Sequence, residues 1–218
     1  MNFAAARENM VESQVRPNGI TDRRIIDAMA EIPREDFVPA GRKAVAYVDE
    51  DLPLTGGLAP RVLIEAMAFA RLVQLAAIKP TDKVLHIGCA TGYGSAVLAR
   101  LAGKVVALEC DAALAAAARG NLKDIANVSV VEGCLADGCK AGAPFDVILI
   151  EGRIVEMPSA LIAQAAEAGR IVAVVGEGDL GKAQIWTIAG STSSCRNAFD
   201  ATVAALPGFA RKRAAFVF

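Results

Sequence analysis

The stretch from Lys83 to Glu109, KVLHIGCATGYGSAVLARLAGKVVALE, decides the fold. Val84, Leu85 and Ile87 make a short apolar run with β-branched members, the pattern of a strand buried on both faces. Gly88, Ala90 and Gly92 follow at every second position. From Tyr93 to Ala102 the spacing of Ala96, Val97, Leu98 and Leu101 is helical, and Lys104 to Leu108 is a second apolar strand that ends on Glu109. A strand that turns on small residues into a helix, with an acid about 20 residues on, has the order of the adenosine-binding half of a doubly wound sheet. Small residues let the backbone approach a ligand, the helix N-terminus offers free N–H groups, and the acid can accept hydrogen bonds from ribose hydroxyls.

A dinucleotide fingerprint wants glycine at position 93, where helix packs on strand. Tyr93 stands there, with Gly92 one position early. Gly-x-Ala-x-Gly-Tyr suits S-adenosylmethionine better, because that ligand has no pyrophosphate to cradle. The competing explanation is a tight strand-to-helix turn that needs glycine for geometry alone.

Around this unit the composition is globular: 218 residues, 54% apolar and 22% charged, with a net charge of −1 that sets up no global field for nucleic acid. The cluster Arg211, Lys212 and Arg213 reads as a solvated turn before a last strand. Arg7 and Glu8 interrupt the N-terminus too early for a signal segment, and no run reaches the roughly 18 apolar residues that span a bilayer. Five cysteines without metal spacing and one histidine, His86, argue against a metal site and for a reduced, cytoplasmic protein.

In chain order, Met1 to Val15 reads as helix, ended by Pro17, Asn18 and Gly19. Thr21 or Asp22 can cap a second helix through Ile25, Ile26, Ala28 and Met29, which Pro33 stops. Phe37, Val38, Tyr47 and Val48 anchor the mixed segment that follows. Leu52 to Gly57 is a loop, and Pro60 opens a helix through Val62, Leu63, Met67, Phe69, Leu72 and Leu75. Beyond Glu109 come a helix from Ala112 to Ile125, strands at Asn127–Glu132 and Phe145–Ile150, and a helix from Pro158 to about Ala168. Further strands are expected at Gly169–Val175, Ala183–Ala189, Ser193–Phe199 and Ala214–Phe218. The alternation implies a parallel sheet, and the strand-rich end implies an antiparallel edge.

The segment MVESQVRPNGITDRRIIDAMAEIPREDFVP, Met10 to Pro39, resembles the N-terminal extension of the protein-L-isoaspartate O-methyltransferase family. Asp51-Leu52-Pro53-Leu54, the Lys83 strand and the Phe145-Asp146 strand also look like that family, and the likeness fades after Val175. The resemblance implies one α/β domain with a class I S-adenosylmethionine methyltransferase fold. That is a Rossmann-like core (residues 81–218) behind an N-terminal helical extension (residues 1–80). It implies that Gly88, Ala90 and Gly92, with His86, Cys89 and Tyr93 around them, line the methionine and adenosyl parts of the cofactor. Glu109, beside Cys110, would hold the ribose, and Gly133, Cys134 and Leu135 would lie along the adenine. Glu151 and Gly152 would border the substrate, and Thr55 is the one hydroxyl near the acceptor.

Three positions depart from the family pattern. His86 replaces the acid before Ile-Gly, Gly133-Cys134-Leu135 replaces Gly-Asp-Gly, and Pro53 to Pro60 shortens a loop that in the family carries a serine facing the acceptor. His86 can end its strand by satisfying a loop backbone group, or meet the cofactor's amino end. Cys134 reads as a small buried residue, and Tyr47 and Trp186 as packing residues. The expected activity is methyl transfer to a protein or peptide carboxylate, without nucleic acid or membrane partners. The alternative is a family member that keeps the fold and acts as a binding or assembly protein, or methylates another acceptor.

Overall fold

The computed structural model describes residues 2–57, 60–178, 180–190 and 192–209. The strand expected at Ala214–Phe218 and the cluster at Arg211–Arg213 lie outside them. At the centre is a seven-stranded sheet made of β3 (Lys83–Ile87), β4 (Lys104–Glu109), β5 (Val128–Glu132), β6 (Phe145–Ile154), β7 (Ala165–Val175), β8 (Gly181–Ala189) and β9 (Thr192–Ala201). Its order is β5-β4-β3-β6-β7-β8-β9, parallel from β5 to β7, with β8 antiparallel to both of its neighbours. The antiparallel element therefore sits one strand inside the edge. Strand order reverses between β3 and β6, so their carboxyl ends open the crevice where ligands bind in doubly wound sheets.

Alternate residues of the central strands feed two cores. Val84, Val105, Ala107, Val147 and Leu149 face a layer that includes α3 (Ala66–Ala76), α4 (Tyr93–Ala99) and α5 (Ala112–Leu122). The N-terminal α1 (Phe3–Met10), which runs on as a π-helical turn over Val11–Val15, and α2 (Arg23–Glu31) pack on the same layer. Leu85, Ile87, Leu108, Ile148 and Ile150 face Leu135, Leu161 in the short α6 (Ser159–Ile162), and Leu206 and Phe209. The last two belong to a segment that returns after β9. Ala204 O accepts from Arg153 N at 2.8 Å, and Leu206 N donates to Arg153 O at 2.8 Å.

Several elements match their sequence signals. Of Thr21 and Asp22, the second caps α2 through Arg24 N (3.0 Å). α5 is capped by Asp111, a cap not expected from the sequence, through Ala113 N and Leu114 N, both at 2.9 Å. Three expectations are corrected. Pro60 does not open a helix: Val62–Leu63 is strand β2, paired antiparallel with β1 (Leu52–Pro53). Leu54 N donates to Arg61 O at 2.7 Å and Glu65 N to Asp51 Oδ1 at 2.9 Å, so that backbone is committed elsewhere until Ala66. The helix after Pro158 stops at Ile162, because the buried Gln164 amide ties Ala160 O, Asp137 O and Cys139 N (each 2.8 Å), and Ala165 then pairs with Phe145. Finally, β6 continues past Ile150, so Glu151 and Gly152 lie within the strand.

Candidate functional site

The turn after β3 is built on left-handed backbone. Gly88, Ala90 and Gly92 have φ of 80°, 49° and 100°, which explains their every-second-position spacing better than ligand approach alone. Gly88 N and Cys89 N donate to Leu108 O at 2.9 and 3.2 Å, and Ala90 N donates to Glu109 Oε2 at 2.8 Å. The acid at the end of β4 thus holds the turn of β3. Gly133 N donates to Glu109 O at 2.9 Å, which places Gly133, Cys134 and Leu135 beside the same carboxylate-bearing residue.

Glu109 is fully buried and engaged on every side. Oε1 accepts from Cys110 N (2.9 Å) and Asp111 N (3.1 Å), and from Arg61 Nη1. Oε2 accepts from Ala90 N and from Arg61 Nη2 at 2.9 Å. Arg61 Nη2 also reaches Gly88 O at 3.3 Å. Burial opposes the charge of Glu109. The Arg61 pairing and the backbone amides of Asp111 and Ala90 overcome it and hold the carboxyl below its usual pKa. Burial likewise opposes the Arg61 charge, and Glu109 reverses that effect.

A second obstruction lies next to the first. A Cβ on Gly88 would stand 3.0 Å from Leu206 Cδ2 and 3.3 Å from Glu151 O, and one on Gly152 would stand 2.6 Å from Leu206 Cγ. The glycine cradle is therefore filled by a leucine of this chain. The crest brings together a buried carboxylate, Glu109, and the glycines Gly88 and Gly92, the residue types expected there from the sequence. In the arrangement seen, Arg61 and Leu206 take both places.

Beneath the crest, His86 Nδ1 lies 2.7 Å from Ser95 Oγ, and His86 Nε2 lies 2.8 Å from Glu151 Oε2, though off the axis of a well-aligned hydrogen bond. The histidine does not end its strand by satisfying a loop backbone group, because it points into this bridge. The carboxylate next to His86 is that of Glu151, which arrives from β6. The order serine–histidine–acid resembles a hydrolase relay, but His86 and Ser95 have no exposed surface. A Cβ on Gly94 would sit 2.2 Å from Glu151 Oε2, so the helix closes over the group. It is a polar bridge joining β3, α4 and β6.

The remaining sequence candidates divide. Tyr93 is a packing residue, edge-on to Phe37 with centroids 5.6 Å apart, and the buried Arg34 guanidinium lies 5.0 Å from its ring centre. Arg34 also donates to Ala46 O (2.9 Å) and Ile64 O (2.7 Å), clamping the N-terminal layer to α4. Cys89 is buried and burial pushes its thiol pKa up, so it is inert. Cys110 is exposed, but desolvation and the neighbouring Glu109 raise its thiol as well. Cys134 is exposed, not buried as expected, because it precedes a 3₁₀ turn at the sheet's end. Thr55 Oγ1 accepts from Arg61 N at 2.9 Å and so staples the turn that carries Arg61. Tyr47, expected only to pack, bonds Glu35 and accepts from Arg7 Nε at 3.1 Å. Sequence reasoning missed Arg61, Arg34 and Leu206. Arg61 left a signal, a lone cation directly after Pro60 at the head of an otherwise apolar run.

Residues 5–197 match the family model for protein-L-isoaspartate(D-aspartate) O-methyltransferase. A Koribacter versatilis protein-L-isoaspartate O-methyltransferase is 42% identical over 180 residues, covering 82% of this chain and 80% of that protein. A Roseiflexus castenholzii protein of the same name is 39% identical over 178 residues, covering 81% and 80%. Among solved structures, a protein-L-isoaspartate O-methyltransferase superposes with a TM-score of 0.80 at 24% identity, over 93% of this chain and 67% of that one. A Plasmodium falciparum β-aspartate methyltransferase in complex with S-adenosyl-L-homocysteine gives 0.75 at 17%, over 95% and 99%; both establish a shared fold. With residues 5–197 matched and relatives about 40% identical over four fifths of its length, this chain belongs to the protein-L-isoaspartate(D-aspartate) O-methyltransferase family.

Proposed function

We propose that this chain is an S-adenosylmethionine-dependent O-methyltransferase whose acceptor is a carboxylate of a protein or peptide, of the isoaspartyl class. The observation that carries the reading is the Glu109 carboxylate, buried at the end of β4 and bonded to the left-handed turn of β3. Gly88, Ala90 and Gly92 would hold the amino-acid and adenosyl parts, Glu109 the ribose, and Gly133, Cys134 and Leu135 the adenine. The cofactor supplies a methyl group activated on a sulfonium.

The chain's own residues have little proton chemistry to perform. A carboxylate with a pKa of about 4 is already ionised at neutral pH, so no general base is required. What is required is orientation and the exclusion of water, since misplacement by about 1 Å can cost roughly 100-fold in rate. The Arg34 clamp and the Ser95–His86–Glu151 bridge fix the N-terminal layer and β6 relative to the crest, which is the framework such placement needs. Thr55 borders this region from the turn before Arg61.

A second reading, a family member that binds partners without catalysis, is favoured by one observation: Arg61 occupies the Glu109 carboxylate. Incubation with methyl-labelled S-adenosylmethionine and two otherwise identical peptides, one isoaspartyl and one aspartyl, separates the two. Base-labile label on the isoaspartyl peptide alone supports the enzyme. Label on neither, at millimolar cofactor and with folded protein, overturns it.

A further inference from the structure

We propose that Arg61 is an internal latch on the ribose carboxylate, so that a nucleoside enters this chain only by displacing the guanidinium from Glu109. The inference rests on the methyltransferase reading and goes beyond it, because the relevant residue lies outside every motif that reading uses.

Acceptor capacity carries the inference. A carboxylate offers about four lone-pair directions. Glu109 already receives three backbone N–H groups, the weak Cys110 thiol donor at 3.5 Å and both arms of the Arg61 fork. None is left for a ribose diol. The backbone donors are fixed by the turn of β3 and the start of α5, where Ala90 and Asp111 are locked in place. Among the described donors on side chains, the Cys110 thiol is a weak one from the neighbouring residue and the Arg61 fork is the strong pair, so the fork is the exchangeable group. Its grip is charge-assisted and two-pronged, the stronger kind of hydrogen bond. Two neutral hydroxyls replace it at a loss, and the loss appears as weakened nucleoside affinity.

The surroundings are consistent with a latch. The Arg61 side chain retains 11% of its exposure, so the released guanidinium has a path to water. Its backbone is held on both sides, by Thr55 Oγ1 on its N–H and by Leu54 N on its carbonyl, so the anchor stays while the side chain turns. Leu206 against Gly88 and Gly152 closes the neighbouring part of the same crevice and must yield in the same event.

The test is calorimetric titration of the full-length protein with S-adenosylhomocysteine, comparing wild type with Arg61→Ala and Arg61→Gln. Arg61→Gln retains a single donor toward Glu109 and guards against an Arg61→Ala protein that fails to fold, with circular dichroism reporting the fold of each. Tightening by about tenfold or more in Arg61→Ala, with Arg61→Gln between it and wild type, supports the latch. Equal dissociation constants in all three proteins overturn the latch and leave the cofactor reading intact. No heat with any of the folded proteins at millimolar ligand overturns the latch together with that reading, and this outcome is distinct from the previous one.

Discussion

Glu109→Gln is the most informative single change for stability. It keeps the shape and removes the charge on which five N–H donors and the Cys110 thiol converge. With the new NH₂ at the Oε2 position, it opposes Ala90 N–H and Arg61 Nη2. At the Oε1 position it opposes Cys110 N–H, Asp111 N–H and Arg61 Nη1, so the first orientation costs less. Leaving a buried charge without its partner costs about 3–5 kcal/mol. The residual exposure of the Arg61 side chain reduces that to about 2–3 kcal/mol, because water can solvate the freed group. The orphaned Ala90 N–H adds about 1–2 kcal/mol. The expected loss is therefore about 3–5 kcal/mol, a large share of the ~5–15 kcal/mol that stabilises a typical domain. Urea unfolding reads it directly: with a slope of about 2–3 kcal/mol per molar, the midpoint falls by about 1–2 M. Adding Arg61→Leu to Glu109→Gln recovers part of the loss, since the stranded cation goes with it. A single-variant loss below about 1 kcal/mol, or no recovery in the double variant, would refute the view that the carboxylate is fully committed to these donors.

Three further outcomes follow from the same geometry. Ala90→Gly stabilises the protein by up to about 1 kcal/mol, because Ala90 sits at φ 49° where glycine is unstrained; a thermal melt with an unchanged or lowered midpoint contradicts this. His86→Leu strands the Ser95 hydroxyl and removes the ring beside the buried Glu151 carboxylate, and costs about 1–3 kcal/mol in urea unfolding, whereas a neutral effect would mean that the bridge contributes nothing. Glu109 titrates below its unfolded value, near 4.3. Its pairing therefore contributes stability above about pH 4.3 and loses it as pH falls through the lower folded value. A pH series of urea midpoints should show this acid-side loss in wild type and less of it in Arg61→Ala; identical slopes contradict it.

Much of the fold is legible from periodicity. Lys83–Ile87 and Lys104–Glu109 stand where their apolar runs put them, and of the two cap candidates Thr21 and Asp22 the second caps α2. The misreadings share a cause, which is that tertiary contacts overrode local pattern. Val62 and Leu63 fit an apolar helical spacing, but Leu52 and Pro53 were there to pair with them. Ala165 to Ala168 favour helix by propensity, yet Phe145 drew Ala165 into the sheet. At the site, Glu109 and the alternating turn could be read because acid and glycines have position-specific duties. The occupants could not. Arg61 stands out locally as a lone cation after Pro60, but its partner lies 48 residues on and nothing local names it; Leu206 lies beyond the family match and leaves no such mark. His86 was visible as an oddity, but its meaning depends on Glu151 arriving from another strand.

A crystal structure of the protein with S-adenosylhomocysteine addresses the crest itself. The ribose hydroxyls should be bonded to Glu109, with the Arg61 guanidinium turned out of the crevice and Leu206 withdrawn from Gly88. A nucleoside bound while the Arg61–Glu109 pair stays intact would contradict this, because the ribose would then be held by other residues.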